Sequence, residues 1–169
     1  MFTIVTDARK HSAGLLLLSG KRLLVLERAP GTRNPGTWGL PGGQRNAGEA
    51  AYEAAVREAN EEMGGAPPHL VVGEVAVQRS ARRYEVFACR TPRDRRAHWR
   101  PRLDKEHIAW RWVSLKWCLR NKRRLHPVLR ALVEDDAGLH WLSRMVERKT
   151  PARRLPGGRR ASDGVRAAS

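Results

Sequence analysis

Three glutamates, Glu58, Glu61 and Glu62, stand at spacing i, i+3 and i+4 in a stretch without glycine or proline. On a helix that spacing puts them on one face, within reach of one another. Like charges that close repel mildly in water, and the arrangement becomes favourable when a cation sits between them. Hard carboxylate oxygens suit Mg²⁺ or Mn²⁺, and magnesium characteristically combines one or two carboxylates with waters and substrate phosphates. Arg57, next to Glu58 and four residues before Glu61, can orient a carboxylate without donating to a metal. The chemistry this points to is metal-assisted attack on a phosphate. A solvated acidic helix face would also explain the trio alone. Context argues otherwise: in a chain of formal net charge +16 with 17 acidic residues, Glu49, Glu53, Glu58, Glu61 and Glu62 gather in one segment directly after a Gly-rich loop.

The elements that must carry this trio are legible from patterning. Ser12 to Leu18 and Arg22 to Glu27 are apolar runs around Ser19-Gly20, which predicts a β-hairpin. Residues 29 to 43 are dense in Gly and Pro, a long shaped loop. Glu49 to Met63 is Ala/Glu-rich and stops at Gly64-Gly65, which predicts a helix. Strands are expected over Leu70 to Gln78, Tyr84 to Cys89 and Trp110 to Val113. Helices are expected over Leu125 to Glu134, with Pro127 in the first turn, and over Leu139 to Arg148.

The chain length of 169 residues suits one domain with tails. We expect a catalytic domain over 1–148 and a disordered basic tail over 149–169, where Pro, Gly and Arg leave little to bury. The cysteines Cys89 and Cys118 make neither a disulfide framework nor a thiolate metal site. No run reaches the roughly 20 apolar residues that span a bilayer, and no secretory signal is evident. A soluble, cytoplasmic protein without a membrane partner is the expectation, with the oligomeric state open and a homodimer allowed.

The segment GGQRNAGEAAYEAAVREANEEMGG resembles the Nudix box: Gly, five residues, Glu, seven residues, Arg-Glu, apolar, any, Glu-Glu, any, Gly, apolar. Gly43, Glu49, Arg57, Glu58, Ala59, Glu61, Glu62 and Gly64 fit at the required spacing, while Gly65 replaces the bulky apolar residue after the last glycine. PGTWGLPGG upstream and EHIAWRWVSL downstream are also similar to the segments that flank the box. The resemblance covers residues 12 to 134.

What the resemblance implies is an α/β (α+β) fold, a Nudix-type α/β/α sandwich with a mixed β-sheet, and hydrolysis of a nucleoside diphosphate linked to another moiety. It places Mg²⁺ or Mn²⁺ on Glu58, Glu61 and Glu62 with the Gly43 carbonyl as a further ligand. Arg57 would orient Glu58, Glu49 would be an outer ligand or anchor, and Gly64 would be structural. Family members draw the general base from the helix or a later loop, which leaves Glu58 and Glu106 as candidates. His107 is expected to be a packing or surface residue. Arg28, Trp38, Arg82 and Arg83 are the expected substrate contacts.

The family's subgroup markers for ADP-ribose, coenzyme A and NADH are not found, and Tyr84 lies slightly late for the dinucleoside-polyphosphate marker. A nucleoside triphosphate or similar nucleotide is the expected substrate. A second reading is action on the 5′ end of RNA. Residues 79 to 124 interleave Arg82, Arg83, Arg93, Arg95, Arg96, Arg100, Arg102 and Lys122 to Arg124 with Tyr84, Trp99, Trp110, Trp112 and Trp117, a composition that suits phosphates and bases. Against this, Trp110 and Trp112 are expected to divide between core and ligand face, and residues 90 to 102 to be a solubilising insert. A third reading is a non-catalytic nucleotide sensor, which would have no chemical need for three mutually repelling carboxylates.

Overall fold

The computed structural model describes residues 10–149. Its centre is the run Leu15 to Leu18, four consecutive residues with no solvent exposure. A strand whose successive side chains point to opposite faces can bury every residue only if both faces are covered. Leu15 and Leu17 face one side and pack with Ala54, Ala55, Ala59 and Met63. Leu16 and Leu18 face the other and pack with Leu129, Leu132 and Leu142. Two helical layers on one sheet follow.

That strand, β1 (Lys10–Ser19), turns through Gly20 into β2 (Arg22–Arg28), with Leu18 opposite Leu23 and Ser19 opposite Arg22. This is the expected hairpin. Beyond it come β3 (Trp38–Gly39), β4 (Gly42–Gln44), α1 (Ala51–Met63), β5 (Leu70–Arg79), β6 (Arg82–Arg90), α2 (Arg93–His98), β7 (His107–Ser114), α3 (Leu115–Arg120), α4 (Pro127–Glu134) and α5 (Asp136–Glu147). The sheet is mixed: β1 runs parallel to β6 along its length, while β1–β4, β2–β7 and β5–β6 are antiparallel. Helix α1 covers one face, and α4 with α5 covers the other. This is the α/β/α sandwich that the family resemblance implied.

Helix α1 starts two residues later than expected because Glu49 lies in the preceding turn, its N–H donating to the Asn46 carbonyl (3.1 Å). The Glu53 carboxylate accepts the Ala50 N–H (3.3 Å), and Gly64, at φ 67°, ends the helix in the left-handed conformation. Alanines on the sheet-facing side bring the helix close to β1.

The structure departs from expectation in three places. The Gly/Pro-rich stretch 29–43 holds two short strands, and β4 pairs Gly43 with Ala13 and Gly42 with Gly14. Glycine pairs as well as any residue when a partner edge is offered, and local sequence does not announce that edge. Trp110 and Trp112 do not divide between faces. Residues i and i+2 of a strand share a face, and Trp99 packs edge-on against both, at 5.8 and 6.3 Å between centroids. The stretch 90–102 is no mere solubilising insert: it contains α2, and Arg90 ends β6 as a buried side chain, 3% exposed. Of the expected basic tail, only Lys149 falls within the described residues. Among those residues, no helix is long and apolar enough to cross a membrane.

The Arg90 guanidinium donates to the carbonyls of Gly20, Met145 and Val146, fastening the end of α5 to the β1–β2 turn. These carbonyls are left without that partner when the guanidinium is removed. Arg90→Ala is expected to lower the unfolding free energy by about 2–4 kcal/mol, read from urea melts. A loss under about 0.5 kcal/mol, the level of an ordinary surface substitution, would show that the clamp contributes nothing.

Candidate active site

Arg57 organises the entrance of α1. Its Nε donates to Glu49 Oε1 (2.8 Å), Nη2 to Glu49 Oε2 (3.2 Å) and to the Gln44 carbonyl (3.0 Å), and Nη1 to Glu58 Oε1 (2.8 Å). The bond from Arg57 and one from the Asn46 N–H hold the Glu49 carboxyl below the usual carboxylate range. One guanidinium thus ties the glycine loop to the helix and fixes one oxygen of Glu58.

The Glu58 carboxylate lies flat against Gly43. A Cβ at that position would stand 2.5 Å from its Cδ and 2.6 Å from Oε2, so any side chain there would displace it. One residue away, Glu62 Oε2 accepts the N–H of Gly42 (2.9 Å), and Glu62 is only 4% exposed. Burial pushes the Glu62 carboxyl up to about 9, and the Asp104 and Glu58 carboxylates push the same way. The Gly42 hydrogen bond and Arg28 oppose the shift without cancelling it. Glu61 stands apart: its side chain is 61% exposed and its oxygen lies 3.5 Å from Arg57.

The loop before β7 is fastened to the end of α1. The Arg102 N–H donates to the Met63 carbonyl (2.8 Å) and the Asp104 N–H to the Glu62 carbonyl (3.0 Å), groups that a helix terminus leaves unpaired. This places His107 between Asp104, whose Oδ1 is 2.9 Å from Nδ1, and Glu62, whose Oε1 is 3.9 Å from Nε2. His107 is buried, so the surface alternative does not hold. Glu106 is half-exposed, with Oε2 3.7 Å from Arg28 Nη2.

A cleft of about 500 Å³ opens beside Gly42 and Gly43, with Arg28, Arg82, Arg83, Tyr84 and His126 among its walls. The Tyr84 hydroxyl rests on the Cα atoms of Gly14 and Gly42. Desolvation and the nearby carboxylates of Glu62 and Glu58 raise its pKa, so it stays a neutral donor. His126 is pushed down to about 4 by burial and by Arg28, Arg79 and His107, which leaves it neutral near pH 7. Trp38, expected as a substrate contact, lies in the core instead. It is 2% exposed, packed edge-on against Trp117 at 6.1 Å, and it is not a wall of the cleft. Its strand is closed over by Leu125 and the start of α4, a long-range contact.

A divalent cation fits this donor set. Glu62 is a buried carboxylate with one hydrogen bond and two like-charged neighbours, so a dication would relieve both desolvation and repulsion. All the donors are hard oxygens. Side chains as they stand do not converge three at a time: among the described residues, no group of three His, Cys, Asp or Glu is already arranged around a metal position. Glu58 and Glu62 meet the glycine strand, and Glu61 is turned toward Arg57.

The family model for the NUDIX domain matches residues 8–136. The chain belongs to the Nudix family. A protein of Mycobacterium tuberculosis provisionally named 8-oxo-dGTP diphosphatase 3 is 39% identical over 74 residues, 41% of this chain and 34% of that one. The match therefore spans about a third of the length of that curated relative. Among solved structures, the Nudix hydrolase RenU of M. smegmatis aligns with a TM-score of 0.66 and 25% identity, covering 84% of this chain and 90% of that one. A MutT protein from Methanosarcina mazei aligns at 0.60 and 25%, covering 82% and 96%. An Ap4A hydrolase of C. elegans shares the fold at a TM-score of 0.56 and 20% identity, over 80% and 93%.

Within this Nudix domain, Asp104, His126, Arg33 and Arg79 join the site without having been singled out from sequence. Asp104 carried a faint signal, two residues before Glu106. The others reach the cleft only through folding.

The raised Glu62 pKa has a stability consequence with a definite sign. Between the ordinary value of 4.5 and about 9, the folded metal-free protein holds a proton that the unfolded chain has released. Its stability therefore falls as pH rises through that window. Glu62→Gln removes the decline. At pH 8 without metal the variant is expected to melt above the parent, by ~2–4 °C for each kcal/mol regained in a chain of this size. At pH 4 the two should coincide. The variant should also lose the upward shift that Mg²⁺ gives the parent. A lower melting point at pH 8 with an intact Mg²⁺ response would contradict this assignment.

Proposed function

We propose that the chain is a Mg²⁺- or Mn²⁺-dependent nucleotide pyrophosphohydrolase, acting on a nucleoside triphosphate or a related nucleotide and releasing a nucleoside monophosphate and pyrophosphate. The observation that carries this reading is the placement of Glu58 and Glu62 against adjacent residues of the glycine strand, Gly43 and Gly42, which also line the neighbouring arginine-walled cleft. The curated relative named for a nucleoside triphosphate substrate supports it over the segment the two chains share.

A divalent ion held by Glu58, Glu61, Glu62 and the Gly43 carbonyl would neutralise the diphosphate and lower the pKa of water. Arg57 holds one oxygen of Glu58 and leaves the other facing Gly43. Glu49 fixes Arg57 in turn, as an outer anchor. Arg28 reaches both the cleft and Glu106, so a phosphate drawn to Arg28 would release Glu106 to act as base, with Glu58 as the other candidate. Arg82 and Arg83 supply further phosphate contacts from the rim.

RNA recognition by stacked aromatics gains little support, because Trp99, Trp110 and Trp112 are engaged with one another. Formation of nucleoside monophosphate and its co-product from nucleoside triphosphates, nucleotide sugars and dinucleoside polyphosphates, measured by chromatography with Mg²⁺, Mn²⁺ and chelator, tests the reading. We expect metal-dependent turnover, reduced about 100-fold or more in Glu58→Gln and Glu62→Gln. Tight metal-dependent nucleotide binding without product would replace the enzyme with a sensor.

A further inference from the structure

Five arginines, Arg28, Arg33, Arg79, Arg82 and Arg83, wall the cleft beside Gly43, and among the described residues no carboxylate lines it. Arg28 and Arg33 form one side, braced by the bond from Arg28 Nε to the Arg33 carbonyl (2.7 Å). The other three flank the β5–β6 turn, where Ser80 adopts φ 50°. Arg33, Arg79 and Arg82 have no carboxylate partner among the described residues. Arg83 approaches Glu85 only to 3.4 Å and Arg28 approaches Glu106 only to 3.7 Å, both longer than a well-made charge-assisted bond. Arginines left free in a concave, acid-free wall are poised for anionic oxygens, and each can take two.

The charge is larger than a nucleoside triphosphate requires. The proposed reaction puts the scissile diphosphate against the divalent ion that Glu58, Glu61 and Glu62 would hold, and its oxygens would be taken up there. That leaves one phosphate of a triphosphate for five guanidiniums. A strand of RNA would supply more, yet the cleft has the volume of a small-molecule site. Of its ring-bearing walls, Tyr84 has its hydroxyl end wedged against Gly14 and Gly42 and His126 lies against Gly39, whereas single strands are held on open stacking platforms.

Resting on the pyrophosphohydrolase reading, we infer that the substrate is a nucleotide whose linear phosphate chain runs on past the cleaved bond, to roughly four or more phosphates in line, tracked by Arg33, Arg79 and Arg82. In the reaction, water oxygen bonds to one phosphorus and the bridging P–O bond at that phosphorus breaks. The leaving fragment keeps the bridging oxygen, and the water's protons pass to the base and to solvent.

The test compares kcat/KM for adenosine tri-, tetra- and pentaphosphate and for a short 5′-triphosphorylated RNA at fixed ionic strength. Calorimetric titration of the same nucleotides into metal-free protein runs in parallel. We expect kcat/KM and metal-free affinity to rise about tenfold or more from three to five phosphates, and Arg79→Gln/Arg82→Gln to flatten both series. Activity with no dependence on chain length would overturn this inference and leave the pyrophosphohydrolase reading standing, as would RNA turned over faster than the pentaphosphate. Absence of any turnover would instead remove the reading beneath it. The titration then still decides: pentaphosphate bound no tighter than triphosphate, or a slope unchanged in the double variant, overturns the inference.

Discussion

Glu62 is a carboxylate taken out of water with no full counter-charge beside it, and much of the site is arranged around that fact. Its one hydrogen bond comes from the backbone of Gly42, and its electrostatic neighbours include Glu58 and Asp104. A buried carboxylate so placed either keeps a proton or receives a cation. The fold tolerates the arrangement because β1 and α1 are themselves well packed, with the alanines of α1 drawn onto Leu15 and Leu17. Glu58 and Glu62 stand three to four residues from those alanines on the same inward-facing side of the helix, which presses them against the glycine strand.

The glycines complete this geometry from the other side. Gly42 and Gly43 pair with Gly14 and Ala13 at one edge of β1, and that pairing sets their backbone against the carboxylates of α1. Arg57 then locks loop to helix, and the 102–104 loop locks the far end of α1 to the start of β7. Three separate segments thus hold the acidic face, and a fourth, the β5–β6 turn, brings basic groups to face it across the cleft. Acidic groups behind the glycine strand and basic groups on the walls of the cleft beside it make an electrostatic division suited to a metal-bound polyanion.

Local features were legible wherever one segment determines its own structure. Residues 51 to 63 have no helix breaker, the leucine run of β1 needs two covered faces, and the box spacing is self-contained. What sequence could not reveal depends on partners brought from afar. Trp38 is an aromatic beside a glycine loop, which suggests a ligand contact, but its surroundings are decided by Trp117 and the segment before α4. Arg90 looks like one more surface arginine until α5 delivers two carbonyls to it. Trp110 and Trp112, two residues apart on a strand, share one side, where Trp99 meets both.

The account stands or falls on where the metal goes. Crystals grown with Mn²⁺ and measured at a wavelength that maximises manganese anomalous scattering would locate it without reference to turnover. The account predicts an anomalous peak among Glu58, Glu62 and the Gly43 carbonyl, with Glu61 swung away from Arg57 to join it. A peak elsewhere on the molecule, or none there at saturating Mn²⁺, would contradict it.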